Sequence, residues 1–302
     1  MSPDPESRTP GAWQRTVVRR VLTWYADHAR DLPWRRPEAT PWQVMVSEFM
    51  LQQTPVERVR GPWQAWVERW PSPAALAAAS AGDAVRAWGR LGYPRRALRL
   101  HRAAVAITDD FDGQVPADRA TLLTLPGIGS YTAAAIASFA FGRREVVLDT
   151  NVRRVLARVE TGVAFPAASQ TVDELERAAA FLPTAPARAA RWAVAVMELG
   201  ALVCVARSPR CDLCPVRDLC AWRAAGYPAW DGPPRRGQSY AGTDRQCRGA
   251  LLAVLRSHDG PVPPAELVPA WPDPDQRVRC LDSLVQDGLA VTTAEGEVAL
   301  PH

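Results

Sequence analysis

An all-α fold is what this chain of 302 residues predicts, and three observations carry that prediction. Apolar residues recur three and four positions apart through most of the chain, the spacing that keeps them on one face of a helix. Alternation with a period of two, which marks a half-buried strand, is nearly absent until the last few residues. Between the helical stretches stand breaks rich in Pro and Gly: Pro71, Gly92 to Pro94, Gly113 to Pro116 and Pro126 to Gly129.

Taken in order, the helical spacing covers 13–28, 41–53, 62–70, 73–79, 83–91, 95–108, 118–124, 130–141, 150–160, 170–181 and 186–203. Residues 1–11 are polar and proline-bearing and read as a disordered N-terminus. Residues 226–244, GYPAWDGPPRRGQSYAGTD, are rich in Gly and Pro and poor in aliphatics, which reads as a linker. Beyond it, 245–302 predicts a small winged-helix-like domain: three short helices at 246–257, 264–271 and 275–287, then an alternating pair around Ala294 to Gly296.

With 47% hydrophobic residues the chain can bury a proper core. No stretch approaches a membrane span and no targeting pattern opens the chain, so a cytoplasmic protein is expected. Its net charge of +4 is unevenly spread, because 245–302 carries more acidic than basic residues and the excess positive charge lies on the main body. That distribution suits a nucleic-acid footprint on the body rather than on the tail. All 36 basic residues are arginines, and there is no lysine anywhere. Any mechanism that captures an aldehyde sugar through a lysine ε-amine is therefore closed.

Cys204, Cys211, Cys214 and Cys220 form a C-x6-C-x2-C-x5-C loop after an apolar helix. The other two cysteines, Cys247 and Cys280, lie far apart in the tail with no partner spacing, which argues against a secreted disulfide framework. Four thiolates in one loop hold either zinc or an iron-sulfur cluster. Zinc ribbons pair two short C-x2-C turns, and only Cys211 and Cys214 make one here. The wider arms favour a cluster, with zinc as the alternative.

Two carboxylates stand out. Glu48 lies in PWQVMVSEFMLQQT beside Val44, Met45 and Leu51, and no basic residue occurs between Arg36 and Arg58. An apolar setting without a local cation favours a protonated carboxyl, which is how a general acid is kept near neutral pH. The segment alone is better read as a glutamate that swings to solvent or pairs with a distant arginine. Asp149, in VVLDTNVRRVLARV, is either an ordinary N-cap or a carboxylate held ionised beside a positive helix terminus, where it can stabilise a developing cation. Local sequence does not separate the two.

Between them, LLTLPGIGSYTAAAIASFAFG describes a helix-hairpin-helix, in which Gly127 and Gly129 let backbone N–H groups approach a phosphate. Arg86, Arg90, Arg95, Arg96, Arg99 and Arg102 occur with no acidic residue among them. Such a run is usually a solvated face. Here it flanks Leu91, Gly92 and Tyr93, and an aromatic on a turn can wedge into a base stack while arginines such as Arg95 and Arg96 hold phosphates.

Taken together, LPWRR, SEFMLQQT, GRLGY, LPGIGSYTAAAI, VLDTNVRRVL, MELGALVC and the cysteine loop make the chain resemble the helix-hairpin-helix (HhH-GPD) DNA glycosylases of the endonuclease III superfamily, and within it the MutY-type adenine glycosylases. The resemblance implies a two-lobed fold: a cluster domain of 12–30 and 136–225, a six-helix domain of 31–135, and a [4Fe-4S] cluster on Cys204, Cys211, Cys214 and Cys220. It implies a monomer that removes adenine from double-stranded DNA where adenine lies opposite 8-oxoguanine or guanine. By the same resemblance Glu48 protonates adenine, Asp149 stabilises the sugar cation, and Tyr131 and Asn151 support them. Gln53 and Tyr93 fill the gap left by the extruded base, with Thr54 and Leu91 near the opposing purine. Members with strand-cleaving activity need a lysine where this chain has Tyr131. A thymine-mismatch glycosylase of the same superfamily and a non-catalytic cluster-bearing DNA regulator are the competing readings. Two departures from the MutY pattern stand out: the tail is too short for a Nudix-like domain, and Val194 occupies a position where relatives offer adenine a polar group.

Overall fold

A computed structural model describes residues 11–232 and 240–302. Most of the expected disordered N-terminus, and 233–239 of the expected linker, lie outside those residues. The helices run in chain order α1 (Ala12–His28), α2 (Pro41–Leu51), α3 (Val56–Arg69), α4 (Pro73–Ala77), α5 (Ala81–Trp88), α6 (Arg95–Asp110), α7 (Arg119–Leu122), α8 (Ser130–Phe141), α9 (Thr150–Leu156), α10 (Val172–Ala180), α11 (Pro186–Leu202), α12 (Ala221–Ala224), α13 (Asp244–Ser257), α14 (Pro264–Leu267) and α15 (Pro274–Gln286). Short antiparallel strands β1 (Val291–Thr292) and β2 (Val298–Ala299) follow, with Val291 opposite Ala299. The all-α prediction holds, and no helix among the described residues is long and apolar enough to cross a membrane.

Packing groups the chain into two units. The first comprises Met1–Val44, Ala117–Leu123 and Ile128–Pro233. Its core joins Val17, Val21 and Trp24 of α1 to Val152 and Val155 of α9 and to Trp192, Val196 and Leu199 of α11. Glu198 of α11 is fully buried and receives Arg30 Nε at 2.7 Å and Arg35 Nη1 at 2.9 Å. The LPWRR segment is thereby tied to α11. Burial pushes the Glu198 carboxyl up, but its hydrogen bonds and the two guanidiniums more than offset this and hold it below the ordinary range.

The second unit comprises Met45–Pro116, Thr124–Gly127 and Pro234–His302. Its core is aromatic: the Trp66 ring packs edge-on to Trp70 at 4.7 Å and to Trp88 at 5.5 Å. The C-terminal module keeps the expected order of three helices and a short β pair, and it belongs to this unit. Arg256 Nε donates to Val85 O at 2.9 Å, Arg95 Nη1 pairs with Asp287 at 2.8 Å, and a Cβ on Gly82 would meet Pro301 O at 2.3 Å. Part of the arginine run is thus spent on the tail. Cys247 and Cys280, distant in sequence, face one another between α13 and α15. Each thiol points to a backbone carbonyl about one turn before the other cysteine, Gln276 O and Asp244 O.

Candidate active site

Asp149 is the N-cap of α9, and its Oδ1 accepts the Val152 N–H at 2.6 Å. Its Oδ2 accepts Asn151 Nδ2 at 2.7 Å. The two sequence readings are therefore compatible: the same carboxylate caps the helix and is aimed by Asn151. Loss of water around it pushes its pKa above the ordinary carboxylate range, against the opposing Val152 and Asn151 donors and the Arg154 charge. The carboxylate form expected from sequence is therefore less secure than the helix terminus alone suggested.

Asn151 is aimed in turn by Arg154, whose Nη2 donates to Asn151 Oδ1 at 2.7 Å and to Gly200 O at 2.7 Å. The Nε of the same guanidinium donates to Cys204 O at 2.8 Å. Asp149, Asn151, Arg154 and the backbone of the first loop cysteine thus form one hydrogen-bonded chain. Gly200 permits it, because a Cβ there would stand 2.7 Å from Asn151 Cβ and 3.0 Å from Asn151 O. Tyr131, on the first turn of α8, is partly buried against Ala134, Ala135, Val147 and Ala193. Gly129 caps α8 with open space where a Cβ would stand. Val194 sits half-buried on α11. Neither Arg154 nor Gly200 was singled out from sequence. The available signal was Arg154 and Arg158, one turn apart on the stripe that also carries Val155 and Val159.

Arg158 is 2% exposed and lies under the cysteine loop. Its Nη1 donates to Cys204 Sγ at 3.4 Å and to Val205 O at 2.8 Å, and its guanidinium covers the Trp222 ring at 4.6 Å. Cys204, Cys211, Cys214 and Cys220 all line one cavity with Arg158 and Trp222. Among the described residues no three His, Cys, Asp or Glu side chains are arranged to hold a single metal ion. Four thiols around a cavity suit a multi-iron group better than one tetrahedral zinc. Without iron, burial raises the Cys204 and Cys220 thiols above their ordinary value and pushes Cys214 up to about 12.

In the other unit, Glu48 is 6% exposed on α2 between fully buried Ser47 and Phe49, which rules out a side chain that swings to solvent. The turn after α2 puts Gln53 at the surface with φ 55°, and the turn before α6 puts Tyr93 there with φ 47° and 46% exposure. Left-handed backbone at a residue with a side chain costs about 1–3 kcal/mol, and such strain gathers at functional sites. Thr54 and Leu91 are buried, and the Thr54 hydroxyl donates to Leu91 O at 3.2 Å. This bond joins the two turns. Gly127 has φ 80° and lies so close to α6 that a Cβ would be 2.6 Å from Arg99 Cβ.

Arg95 and Arg96, paired as phosphate contacts in the sequence reading, part company. Arg95 is exposed and salt-bridged to Asp287. Arg96 is only 4% exposed, and its Nη atoms are spent on carbonyls and a hydroxyl inside the unit. Burial lowers its pKa to about 10, so it remains a cation at neutral pH. A buried guanidinium without surface access supports turns rather than meeting DNA.

Residues 46–180 match the model of the HhH-GPD superfamily base excision DNA repair proteins, and 204–220 match the iron-sulfur binding domain of endonuclease III. The loop thus binds a [4Fe-4S] cluster. The chain is 56% identical over 285 residues to an adenine DNA glycosylase of Mycobacterium tuberculosis, covering 93% of this chain and 92% of that one. It is 41% identical over 211 residues to an adenine DNA glycosylase of Homo sapiens, covering 67% of this chain and 38% of that one. Among solved structures, a thermostable thymine-DNA glycosylase superposes with a TM-score of 0.64 at 25% identity, covering 70% of this chain and 97% of that chain. The 56% identity to the mycobacterial enzyme across nearly the whole of both chains places this protein in the adenine DNA glycosylase family of base excision repair enzymes.

Proposed function

We propose that the chain is a monomeric, cytoplasmic, monofunctional glycosylase that hydrolyses the bond between adenine and deoxyribose where adenine lies opposite 8-oxoguanine or guanine. The observation that carries the reading is the aimed Asp149 carboxylate, fixed by Val152 N–H and Asn151. Buried Glu48 supplies a proton to a ring nitrogen of the base, because adenine leaves readily only when protonated. As the glycosidic bond breaks, its electron pair departs with the base and positive charge develops on the sugar. Asp149 stabilises that charge, and water adds to the anomeric carbon, giving free adenine and an abasic site. Gln53 and Tyr93 enter the stack in place of the extruded nucleotide, while the hairpin of Gly127 and Gly129 and exposed Arg95 meet the backbone. Without a lysine no Schiff base forms through a side chain, so the strand stays intact. The [4Fe-4S] cluster, held by its four thiolates, shapes the loop to which Arg154 is anchored.

Single-turnover release of adenine from a duplex with adenine opposite 8-oxoguanine tests this reading. Strand breaks are expected only after alkali, and none from Asp149→Asn. Adenine opposite guanine is also expected to react, and comparable rates for adenine paired with thymine would refute the mismatch reading. Release from a thymine mismatch instead would transfer the site to thymine-mismatch repair.

A further inference from the structure

One guanidinium touches both surface turns. Arg96 Nη1 donates to Phe49 O at 2.8 Å, Met50 O at 3.0 Å and Gln52 O at 2.5 Å, at the end of α2 and the residue before Gln53. Its Nη2 donates to Thr54 Oγ1 at 2.9 Å, directly after Gln53, and to Gly92 O at 3.0 Å, directly before Tyr93. The group also lies over the rings of Trp88 at 5.2 Å and Tyr93 at 5.6 Å. Among the described residues its hydrogen-bond partners are carbonyl oxygens and one hydroxyl, none of them a carboxylate. All the hydrogen-bond acceptors are neutral, so the charge is committed to the open carbonyls at the C-terminal end of α2, where a cation is favoured. The residues on either side of Gln53 and the one before Tyr93 are held by this single planar fork, and both Gln53 and Tyr93 are strained in the left-handed region.

We infer that Arg96 is a positioning residue that locks Gln53 and Tyr93 into one rigid unit, so that the two side chains enter the base stack together. The inference rests on the proposed stack-filling role of those two residues. It places the control of base extrusion on a residue that never touches DNA. Lysine cannot substitute, since a point charge with three donors cannot span two turns in fixed geometry.

Two measurements separate the clamp from the role built on it. In the free protein, amide hydrogen exchange of Arg96→Lys should rise at 52–54 and 91–93 together, with the visible absorbance of the cluster unchanged. On a duplex with 2-aminopurine opposite guanine, the fluorescence rise that reports extrusion should slow by roughly tenfold in Arg96→Lys, and less in Thr54→Val, which removes the shared hydroxyl without touching the buried charge. Adding Arg96→Lys to the pair Gln53→Ala and Tyr93→Ala should cost nothing further, because the residues act as a unit. Additive losses, unchanged extrusion, or exchange that rises at only one turn would each overturn the inference. Should Arg96→Lys fail to fold, Thr54→Val decides: normal extrusion there overturns the clamp. If the wild type extrudes no base while exchange still rises at both turns, the stack-filling reading has failed and the clamp has not.

Discussion

The N-terminal end of α9, which carries Asp149, and the C-terminal end of α2, which carries Glu48, are both fastened by an arginine, but the arginines come from different distances. Arg154 is three residues along the same helix from the Asn151 it aims. Arg96 arrives from 47 residues beyond Phe49. The first fastening ties the carboxylate to the cluster loop through Cys204 O and to α11 through Gly200 O. The second ties two surface turns to one another. Local fastening sets the direction of one carboxylate oxygen, whereas the long-range one sets the relation between two segments.

Removing the proposed proton donor should have the largest effect. Glu48→Gln keeps the shape of a 6%-exposed side chain and loses the proton, so adenine release in single turnover should fall by about 10²–10⁴. Cluster absorbance should stay as in the wild type. A variant as active as wild type would remove Glu48 from the chemistry.

Arg154→Met keeps the apolar stem but withdraws donors from Asn151, Gly200 O and Cys204 O. Supporting groups of this kind cost about 10–100-fold in activity or metal affinity when lost. The rate of adenine release and the rate of iron loss to a chelator should both change, which Arg96 variants should not reproduce for iron. Iron retention unaltered in Arg154→Met would break the distinction between the two arginines.

The raised pKa of Asp149 has a definite sign. If activity needs the carboxylate, as proposed, it should be present above the folded-state pKa and fall about tenfold per pH unit below it, starting above the range of an ordinary carboxyl. Because the folded state holds this proton more tightly than the unfolded chain does, Asp149 contributes stability at acid pH that is lost as pH rises through its folded-state pKa. The acid limb of the rate profile should therefore not coincide with unfolding through this residue. Circular dichroism across the same pH range checks it.

Gly200→Ala should be milder. Its Cβ would crowd Asn151 at 2.7 Å, an overpacking that costs about 1–3 kcal/mol and shifts the start of α9. Roughly tenfold slower release with a normal Kd for product duplex would place the damage in the aim of Asp149 rather than in binding.

The same contrast explains what sequence revealed. The helices, the Asp149 cap and the cysteine loop follow from short-range spacing, because periodicity, capping and ligand pattern all lie within a few residues. The burial of Arg96, the meeting of Cys247 with Cys280 and the docking of the tail on Gly82 and Arg95 do not, because each depends on residues far apart in the chain. An arginine in a run of arginines looks solvated until the fold brings carbonyls to it. Glu48 was the hardest case. Its segment alone favours a glutamate that swings to solvent or pairs with a distant arginine, and the structure removes the first of these by burying it.

Arg95 gives the smallest expected effect and the sharpest test of that lesson, since it neighbours Arg96 yet remains 53% exposed in its pair with Asp287. Exposed pairs contribute about 0–1 kcal/mol, but Asp287 also holds the mostly buried Arg248, so Asp287→Asn should lower the melting temperature modestly while Arg95→Ala leaves it almost unchanged. Freeing the cation should strengthen DNA binding slightly at low salt and steepen the dependence of log Kd on log salt by at most about one unit, the signature of one added phosphate contact. The effect should vanish in Arg95→Ala with Asp287→Asn. If the salt dependence does not change, Arg95 belongs with Arg96 among the residues that hold the protein together, and the basic run contributes to DNA binding through other arginines.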